Sequence, residues 1–375
     1  MSCLMVAVGC NAEGPLALVD ESPAHDWSAA IPSLLFGQGI GELLDTDGDR
    51  LYVTDGDSLV AYDAEDGSVV WRLDPFSDCC GFFTRIRHSD GVLYAGHTDR
   101  LLALEPATGS VMWSSEFDHI TDTPFVIDES RIYAPGRGTI TAISKVDGAV
   151  LWAVELEDVL PAGIHLTGGE DRVCFGVNRW PGFGESVGPG TAGCIAKPTG
   201  DILWRVTSTE IETRSSPAII GNRLILGSAG GSAFSTTRAI YAFDVDDGTL
   251  AWKIDPGMQP LRDVVSVGGR AVSCLGEGLG DGRLEIDPPC VALDPSDGSI
   301  TWQTVLTRLD SDPVIERGRV FILDSGDVVE LHPPSGGFDR VVESSAGEPF
   351  VSPPVLSGNR LFVLTSDSVH AYRLP

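Results

Sequence analysis

The chain has 375 residues, enough for two or three average domains, and 54 acidic against 25 basic side chains give it a formal net charge of −29. Binding to nucleic acid or to anionic lipid by charge is therefore disfavoured, and any charged partner is expected to be basic. Such a surface is typical of a solvated, exported or salt-exposed protein.

The first ten residues, MSCLMVAVGC, form a short apolar run that ends in Ala-Val-Gly-Cys. This ending resembles a lipoprotein processing site in which Cys10 is acylated. The run has no basic residue before it and is shorter than a signal core of roughly 7 to 15 residues, which a start codon assigned too late would explain. We expect residues 1–10 to be a signal segment, 11–26 a tether and 27–375 the folded domain of a periplasmic, outer-membrane or cell-surface lipoprotein. Nothing after Cys10 is long enough to span a bilayer, so only the lipid would hold the protein to the membrane.

One sequence pattern returns along the chain with a period of about 40 to 50 residues. Its first copy, LVAYDAEDGSVVW, runs from Leu59 to Trp71, and every copy places a tryptophan four residues after a turn glycine. Alternating apolar and polar residues around the glycine predict a β-hairpin, because glycine supplies the positive φ of the turn. The tryptophans of the hairpins are Trp71, Trp113, Trp152, Trp204, Trp252 and Trp302.

A second predicted strand pair precedes each hairpin, as in SSPAIIGNRLILG from Ser215 to Gly227. One repeat is therefore a four-stranded antiparallel sheet that cannot bury both of its faces alone. The bulky tryptophan, with a small alanine ten residues earlier or eight earlier in the fourth copy (Ala196), suits packing of neighbouring sheets face to face. Sheets of this period arranged around an axis form a β-propeller.

The number of blades follows from the first strands, which are expected near Ile40, Arg85, Pro124, Ile164, Pro217, Val264, Pro313 and Pro354. The seventh unit has no tryptophan and carries Glu330 where the small residue belongs, and the eighth ends at Tyr372 before its outer strand. The segment His25 to Ile31, which carries Trp27 without a hairpin before it, can supply that strand. We therefore predict an all-β fold, a single eight-bladed propeller of four-stranded antiparallel blades whose N-terminal strand closes the last blade.

Short turns within the strand pairs alternate with long connections, which places all the long connections on one rim of the predicted ring. We expect any partner to bind at this rim. The connections run from Phe76 to Thr84, Asp118 to Thr123, Asp158 to Gly163, Phe175 to Gly193, Ala229 to Thr237, Met258 to Asp263 and Leu275 to Pro289.

Two cysteine pairs bracket the longest insertions and lie on neighbouring predicted strands of the fourth and sixth blades. Neighbouring strands bring such positions to bridging distance, so we expect the disulfides Cys174–Cys194 and Cys274–Cys290, which belong in an oxidising compartment. With Cys10 lipidated and Cys3 removed, parity leaves Cys79 and Cys80 for each other.

The repeat, with its A-x-D-x-x-x-G-x-x-x-W pattern from about Trp27 to the end, resembles the pyrroloquinoline-quinone-like (PQQ-like) repeat of the eight-bladed quinoprotein propellers. That superfamily includes PQQ-dependent alcohol dehydrogenases. It also includes non-enzymatic propellers such as the BamB-type lipoproteins of outer-membrane β-barrel assembly. The resemblance implies the fold and leaves the function open.

The segment WRLDPFSDCCGFFTRI, from Trp71 to Ile86, resembles the part of the quinoprotein alcohol dehydrogenases in which a vicinal disulfide lies over the quinone and a following arginine hydrogen-bonds it. Cys79, Cys80 and Arg85 match that arrangement in order and spacing, and a planar guanidinium can clamp quinone oxygens. Trp180, the tryptophan outside the repeat register, could be a stacking floor for the cofactor, although an aromatic residue that pins a Gly-rich loop is the more common role. The family also needs a glutamate and an asparagine that hold calcium, and a catalytic aspartate. No stretch here matches those positions.

Two weaker candidates have ordinary structural explanations. The run Asp45-Thr46-Asp47-Gly48-Asp49 has the carboxylate density of a calcium loop but occupies a strand turn, where Asp and Gly are expected. His165 lies near the start of a first strand, where a satisfied polar residue is more common than a ligand. No metal site is therefore predicted.

Three functional hypotheses remain. The first is a non-enzymatic exported scaffold, expected to be a monomer, that docks envelope proteins at the long-connection rim. The second is an oxidoreductase that uses PQQ with calcium at Cys79, Cys80 and Arg85. The third is a functional relative of the barrel-assembly lipoproteins, although the acidic charge and the two disulfide-closed insertions are not features expected of that group.

Overall fold

The computed structural model describes residues 23–31, 44–54, 58–74, 83–97, 99–116, 123–156, 161–179, 190–211, 213, 215–229, 238–260, 262–276, 289–316, 318–332, 335, 337–344 and 349–374. These ranges consist of strands, turns and irregular segments. They contain no helix that is long and apolar enough to cross a membrane.

The strands form eight four-stranded sheets, numbered here as blades 1 to 8. The N-terminal strand is β1 (Ala24–Ala30). Blade 1 consists of β2 (Leu44–Thr46), β3 (Arg50–Thr54), β4 (Leu59–Asp63) and β5 (Val69–Leu73). Blade 2 consists of β6 (Phe83–Ser89), β7 (Val92–His97), β8 (Arg100–Leu104) and β9 (Val111–Glu116). Blade 3 consists of β10 (Val126–Ile127), β11 (Arg131–Pro135), β12 (Thr139–Ser144) and β13 (Val150–Glu155). Blade 4 consists of β14 (Pro161–Gly168), β15 (Arg172–Arg179), β16 (Gly190–Ala196) and β17 (Ile202–Ser208).

The second half of the ring repeats this order. Blade 5 consists of β18 (Ala218–Ile220), β19 (Arg223–Ala229), β20 (Arg238–Asp244) and β21 (Leu250–Ile254). Blade 6 consists of β22 (Val265–Val267), β23 (Arg270–Cys274), β24 (Pro289–Leu293) and β25 (Ile300–Val305). Blade 7 consists of β26 (Val314–Glu316), β27 (Arg319–Asp324), β28 (Asp327–His332) and β29 (Gly337–Val342). Blade 8 consists of β30 (Val355–Ser357), β31 (Arg360–Leu364), β32 (Ser368–Arg373) and β1.

The hydrophobic core is divided among the seams between blades. Eight clusters of buried residues each take their members from two adjacent blades, and the one between blades 8 and 1 closes the ring. Neighbouring strands within each blade are antiparallel, so the turns between first and second and between third and fourth strands lie on one rim. We call it the short-turn rim. The other connections leave from the opposite, loop-rich rim. The predicted eight-bladed propeller is confirmed.

The repeat tryptophans join each blade to the next. The Nε1–H of Trp71 donates to the carbonyl of Pro106 in blade 2, 2.8 Å away, and five other tryptophans make the same bond to the following blade at 2.9 to 3.3 Å. Each ring also covers the turn glycine of that blade. A Cβ built on the glycine would lie 2.5 to 2.9 Å from the nearest indole atom. Glycine is required there both for its positive φ and for this close approach.

The N-terminal strand closes the ring as predicted. In β1, Trp27 lies opposite Ala371, as Trp71 lies opposite Ala61 in blade 1, and its ring covers Gly67. Asp26, at the register shift beside Trp27, accepts hydrogen bonds from Arg360 at 2.9 Å and from Arg373 at 3.1 Å. The N-terminal strand is therefore held to the C-terminal blade by a β-ladder and by the ion pairs of Asp26, and to blade 1 by the indole of Trp27.

The missing tryptophan of blade 7 follows from this closure. In the other blades the tryptophan packs on the glycine of the turn between the third and fourth strands of the next blade. Blade 8 has no such turn, because its third strand, β32, and its fourth strand, β1, come from opposite ends of the chain. Glu330 and Asp339 take the positions of the alanine and the tryptophan. Arg319 donates to both carboxylate oxygens of Glu330 and lies 5.0 Å from the ring centre of Phe321. Polar contacts within blade 7 thus lie where the other blades have the alanine and the indole.

Two sequence expectations need correction. Opposite Trp204 lies Cys194, ten residues earlier, and not Ala196, so blade 4 has the same spacing as the others. Both predicted cross-strand disulfides are present, Cys174–Cys194 and Cys274–Cys290, each with 4.0 Å between Cα atoms. The first does not close the base of its insertion, because β15 and β16 stay paired as far as Val177 and Thr191 beyond it. Ile40, near which the first strand of blade 1 is expected, lies outside the described residues, among which that strand begins at Leu44.

Candidate functional site

The inner wall of the ring is formed by the first strand of each blade, namely β2, β6, β10, β14, β18, β22, β26 and β30. Each strand begins at the loop-rich rim and ends at a short turn. Residues that precede or start these strands therefore surround the end of the central axis on the loop-rich side, which we call the mouth. Arg85 of the predicted quinone site is one of them.

Arg85 lies on β6, opposite Gly96 of β7 and next to a register shift. Asp263 precedes the first strand of blade 6, and the charge of Arg85 opposes the rise in the pKa of Asp263 that burial causes. Blades 2 and 6 are four blades apart in a ring of eight, so the two residues lie on opposite sides of the axis. The fold thus places a basic and an acidic residue on opposite walls of the mouth.

Three carboxylates near the axis bind the backbone of the neighbouring blade. Oδ1 of Asp263 accepts the N–H of Ser216 at 2.5 Å, and Oδ1 of Asp312 accepts the N–H of Asp263 at 3.1 Å. Oδ2 of Asp45 accepts the N–H of His88 at 2.5 Å in the same way. Backbone groups just before or at the ends of short strands lack a ladder partner, and a carboxylate is a strong acceptor for them. These aspartates therefore connect blades 5, 6 and 7, and blades 1 and 2.

The protonation of Asp263 reflects its surroundings. Burial raises its pKa to about 7, and the nearby Asp312 carboxylate adds to the rise, while the Ser216 backbone and Arg85 oppose it. A carboxyl group with this pKa is partly protonated near neutral pH, unlike an exposed aspartate.

A calcium ion that holds a quinone would need roughly six to eight oxygen ligands, with ionised carboxylates among them. Each of the three aspartates near the axis is bonded to a backbone N–H. Within the described ranges no group of three or more His, Cys, Asp or Glu side chains is arranged to hold a metal ion. Cys79, Cys80 and Trp180 lie outside the described residues, as does Cys10.

Of the two other candidates, Asp47 has a structural role. Asp47 accepts the N–H groups of Asp49 and Arg50 and the hydroxyl of Tyr52 at 2.6 Å. Burial works against its charge, but the bonds from Tyr52 and Arg50 hold the pKa of Asp47 below its ordinary value. It is therefore part of a turn. His165 is half-buried on the inner strand β14, opposite Gly176.

Asp263 and Asp312 were not predicted from the sequence. Both lie two residues before a first strand, at a ladder position that holds Arg85 in blade 2, Ser216 in blade 5 and Pro353 in blade 8. A charged residue that recurs at this position of the repeat is the signal that could have found them.

Comparison with protein families gives a match along the whole ring. Segments 13–134, 84–170, 136–308 and 289–374 match the PQQ-like repeat family described as "Outer membrane protein assembly factor BamB". The chain belongs to this BamB family. Among curated proteins, this BamB-family chain is similar to the outer membrane protein assembly factor BamB of Moranella endobia (strain PCIT), with 23% identity over 347 residues, 86% of this chain and 82% of that protein.

Two solved structures are similar in fold to this BamB-family protein. The crystal structure of BamB from Moraxella catarrhalis has a TM-score of 0.64 at 14% identity, over 94% of this chain and 99% of that one. The quinohemoprotein alcohol dehydrogenase ADHIIG from Pseudomonas putida HK5 has a TM-score of 0.62 at 15% identity, over 96% of this chain and 78% of that one. These likenesses show the fold, which both functional classes share.

Proposed function

We propose that this BamB-family propeller is a non-enzymatic scaffold of the cell envelope that binds proteins of outer-membrane assembly. The family match along the whole ring carries the proposal, since the relative from Moranella endobia is named an outer membrane protein assembly factor and this chain spans 82% of it. The carboxylates at the axis support it, because they hold neighbouring blades together. The net charge of −29 favours a partner with a basic contact surface.

The partner surface in this proposal is the loop-rich rim. Strand β1 begins at Ala24 on the short-turn rim, so a tether from an acylated Cys10 reaches the ring from that side. Fourteen residues span at most about 50 Å, so such a tether would hold the ring within that distance of the membrane. The anchor has a direct test. Replacing Cys10 by serine should abolish labelling with fatty acid and release the protein into the soluble fraction.

Site-specific photo-crosslinking in the native envelope tests the docking surface. Arg137 and Glu129 are both exposed in blade 3, and they lie at opposite ends of β11, on the loop-rich and the short-turn rim respectively. A photoreactive residue at position 137 should form an adduct with a discrete envelope protein, and the same residue at position 129 should not. Adducts from position 129 alone, or from neither position, would contradict docking at the loop-rich rim.

The alternative is a PQQ-dependent oxidoreductase. The observation that favours it is the placement of Arg85 on the inner wall, where its charge reaches Asp263. Titration of the purified full chain with PQQ and calcium separates the two proposals. The scaffold proposal expects no binding at micromolar cofactor. A stoichiometric absorbance band that is lost in Arg85→Gln, together with dye reduction by alcohols, would establish the enzyme instead.

A further inference from the structure

Exposed apolar side chains lie on the outside of the ring along blades 1 to 4. The fourth strand of each of these blades begins with two large apolar residues whose exposed fractions are 41 to 60%. In blades 5, 6 and 8 the second residue of the pair is instead Ala251, Thr301 or Asp26, so the fold does not require a large apolar side chain there. The eight residues are Val69, Val70, Val111, Met112, Val150, Leu151, Ile202 and Leu203.

The turns that lead into these strands have apolar tips in blades 2, 3 and 4. The residue two positions before the turn glycine is Ala107, Val146 or Pro198, and each is exposed. Val146 is 87% exposed, so its side chain contributes almost nothing to the core. At the same position the other turns of this kind carry polar residues, namely Glu65, Asp246 and Ser296.

The contacts between indoles and glycines bring the pairs and the tips together. Trp113 directly follows the apolar pair of blade 2 and covers Gly148, whose turn has Val146 at its tip. The same contact places the pairs of blades 1 and 3 beside the tips of blades 2 and 4. We call these pairs and tips together the apolar strip. It follows the edge of the short-turn rim from blade 1 to blade 4.

The middle of the apolar strip is close to neutral, unlike the rest of this rim. The turns 105–110, 144–149 and 196–201 of blades 2 to 4 contain three acidic residues and two lysines, whereas the turns 244–249 and 294–299 of blades 5 and 6 contain five acidic residues and no lysine. Lys145 is bonded to Asp90 at 2.6 Å and Lys197 to Asp128 at 3.1 Å. The strip therefore offers apolar area more than charge to whatever covers it.

An added β-strand does not suit this edge. In each of blades 1 to 4 the register of the fourth strand shifts within the apolar pair. Such a β-bulge interrupts the row of free backbone groups, and natural proteins use bulges to prevent pairing at sheet edges. An occupant that meets the side chains, and not the strand edge, fits the strip better.

We propose that the apolar strip contacts the surface of a lipid bilayer with electrically neutral head groups, so that the ring lies against the membrane on blades 1 to 4. Apolar side chains at a membrane surface enter the boundary between head groups and acyl chains, and their binding scales with the apolar area buried. The place of the strip fits this occupant. Strand β1 begins at Ala24 on the same rim, so the segment that leads from the proposed lipid anchor arrives there.

This inference rests on the proposed anchorage of the ring but not on the docking partner, because the docking surface lies on the opposite rim. Membrane contact through surface side chains is reversible. It orients an anchored ring and does not by itself retain the protein, so the Cys10→Ser chain is still expected in the soluble fraction.

Photo-crosslinking to lipid tests the apolar strip. The purified full chain is mixed with vesicles of radiolabelled phosphatidylcholine, with a photoreactive residue at position 146 or, as the matched control, at position 296, the equivalent turn tip of blade 6. We expect at least about fivefold more lipid adduct from position 146 than from position 296. Failure of the anchor, which fatty-acid labelling reports, would lower both adducts and leave their ratio unchanged.

Two pairs of substitutions show whether the strip itself makes the contact. Met112→Asp with Leu151→Asp should lower the adduct from position 146 at least about fivefold, because a carboxylate is costly to bury at the membrane surface. Ala251→Asp with Thr301→Asp adds the same charge at the equivalent exposed positions of blades 5 and 6, and should change that adduct by less than about twofold. The proposal is overturned if positions 146 and 296 give equal adducts, if both pairs of substitutions have the same effect, or if position 146 forms a covalent dimer of the chain in place of a lipid adduct.

Discussion

The contribution of the tryptophan–glycine contact between blades to stability can be tested at a single turn. Gly148 has a φ of 74°, and a Cβ there would lie 2.6 Å from Cε3 and 2.9 Å from Cδ2 of Trp113. Gly91 has the same φ of 74°, with nothing within 4 Å of its Cβ position. Replacing either glycine by alanine imposes the same left-handed backbone, which costs roughly 1 to 2 kcal/mol. Only Gly148→Ala must also displace an indole.

The additional cost follows from what Trp113 would lose. Its Nε1–H donates to the carbonyl of Lys145 at 3.1 Å, and such a bond contributes about 1 kcal/mol. Forcing a methyl group into the packed seam costs about 1 to 3 kcal/mol more. We therefore expect Gly148→Ala to destabilise the protein by about 3 to 6 kcal/mol and Gly91→Ala by about 1 to 2 kcal/mol.

Urea unfolding of both variants, followed by circular dichroism and by tryptophan fluorescence, measures the difference. The native emission spectrum should change in Gly148→Ala, because the indole moves, and remain that of the unmodified protein in Gly91→Ala. If the two variants lose the same stability within about 0.5 kcal/mol, the indole does not join the blades in the way described.

Three further predictions concern the axis, one seam and the disulfides. Burial, with the Asp312 carboxylate, raises the pKa of Asp263 to about 7, above the ordinary aspartate value of about 4, so the stability that its proton contributes is present below about pH 4 and is lost as the pH rises through 7. Asp263→Asn should therefore be more stable than the unmodified protein at about pH 8, by up to about 4 kcal/mol, with no gain at about pH 4; equal stability at both pH values would refute this. In urea unfolding, Trp302→Phe should lower the free energy of unfolding by about 1 kcal/mol less than Trp252→Phe. The Nε1–H of Trp252 donates to the carbonyl of Pro295, whereas Nε1 of Trp302 is buried without an acceptor among the described residues, and equal losses of free energy would argue against this reasoning. Reduction of both cross-strand disulfides should lower the free energy of unfolding by about 2 to 4 kcal/mol per bond, and a free energy unchanged by reductant would contradict that role.

Much of the fold could be predicted from sequence because the strands of one blade follow one another along the chain. The spacing of glycine and tryptophan predicts a hairpin in six units, and eight predicted first strands give the ring. What the indole contacts could not be predicted, since its partners Pro106 or Lys145 belong to the next repeat. The absence of tryptophan from blade 7 was visible, but its cause needed the closure of blade 8.

The candidate site was less predictable for a similar reason. Arg85 was found because its neighbours along the chain resemble a known segment. Asp263 lies almost half the chain away and meets Arg85 only across the axis, through a ring that no local pattern specifies. Burial, which sets its pKa, is likewise a property of the assembled wall.

Because the first and last described strands pair in blade 8, the protein is suited to circular permutation. Ala24 lies directly opposite Arg373, so a short glycine-containing linker could join them while new ends are opened in another hairpin. Such a linker would give blade 8 a turn glycine, on which a tryptophan in blade 7 could then pack. A permuted chain should then accept an indole in place of Asp339, a position where the present chain cannot use one.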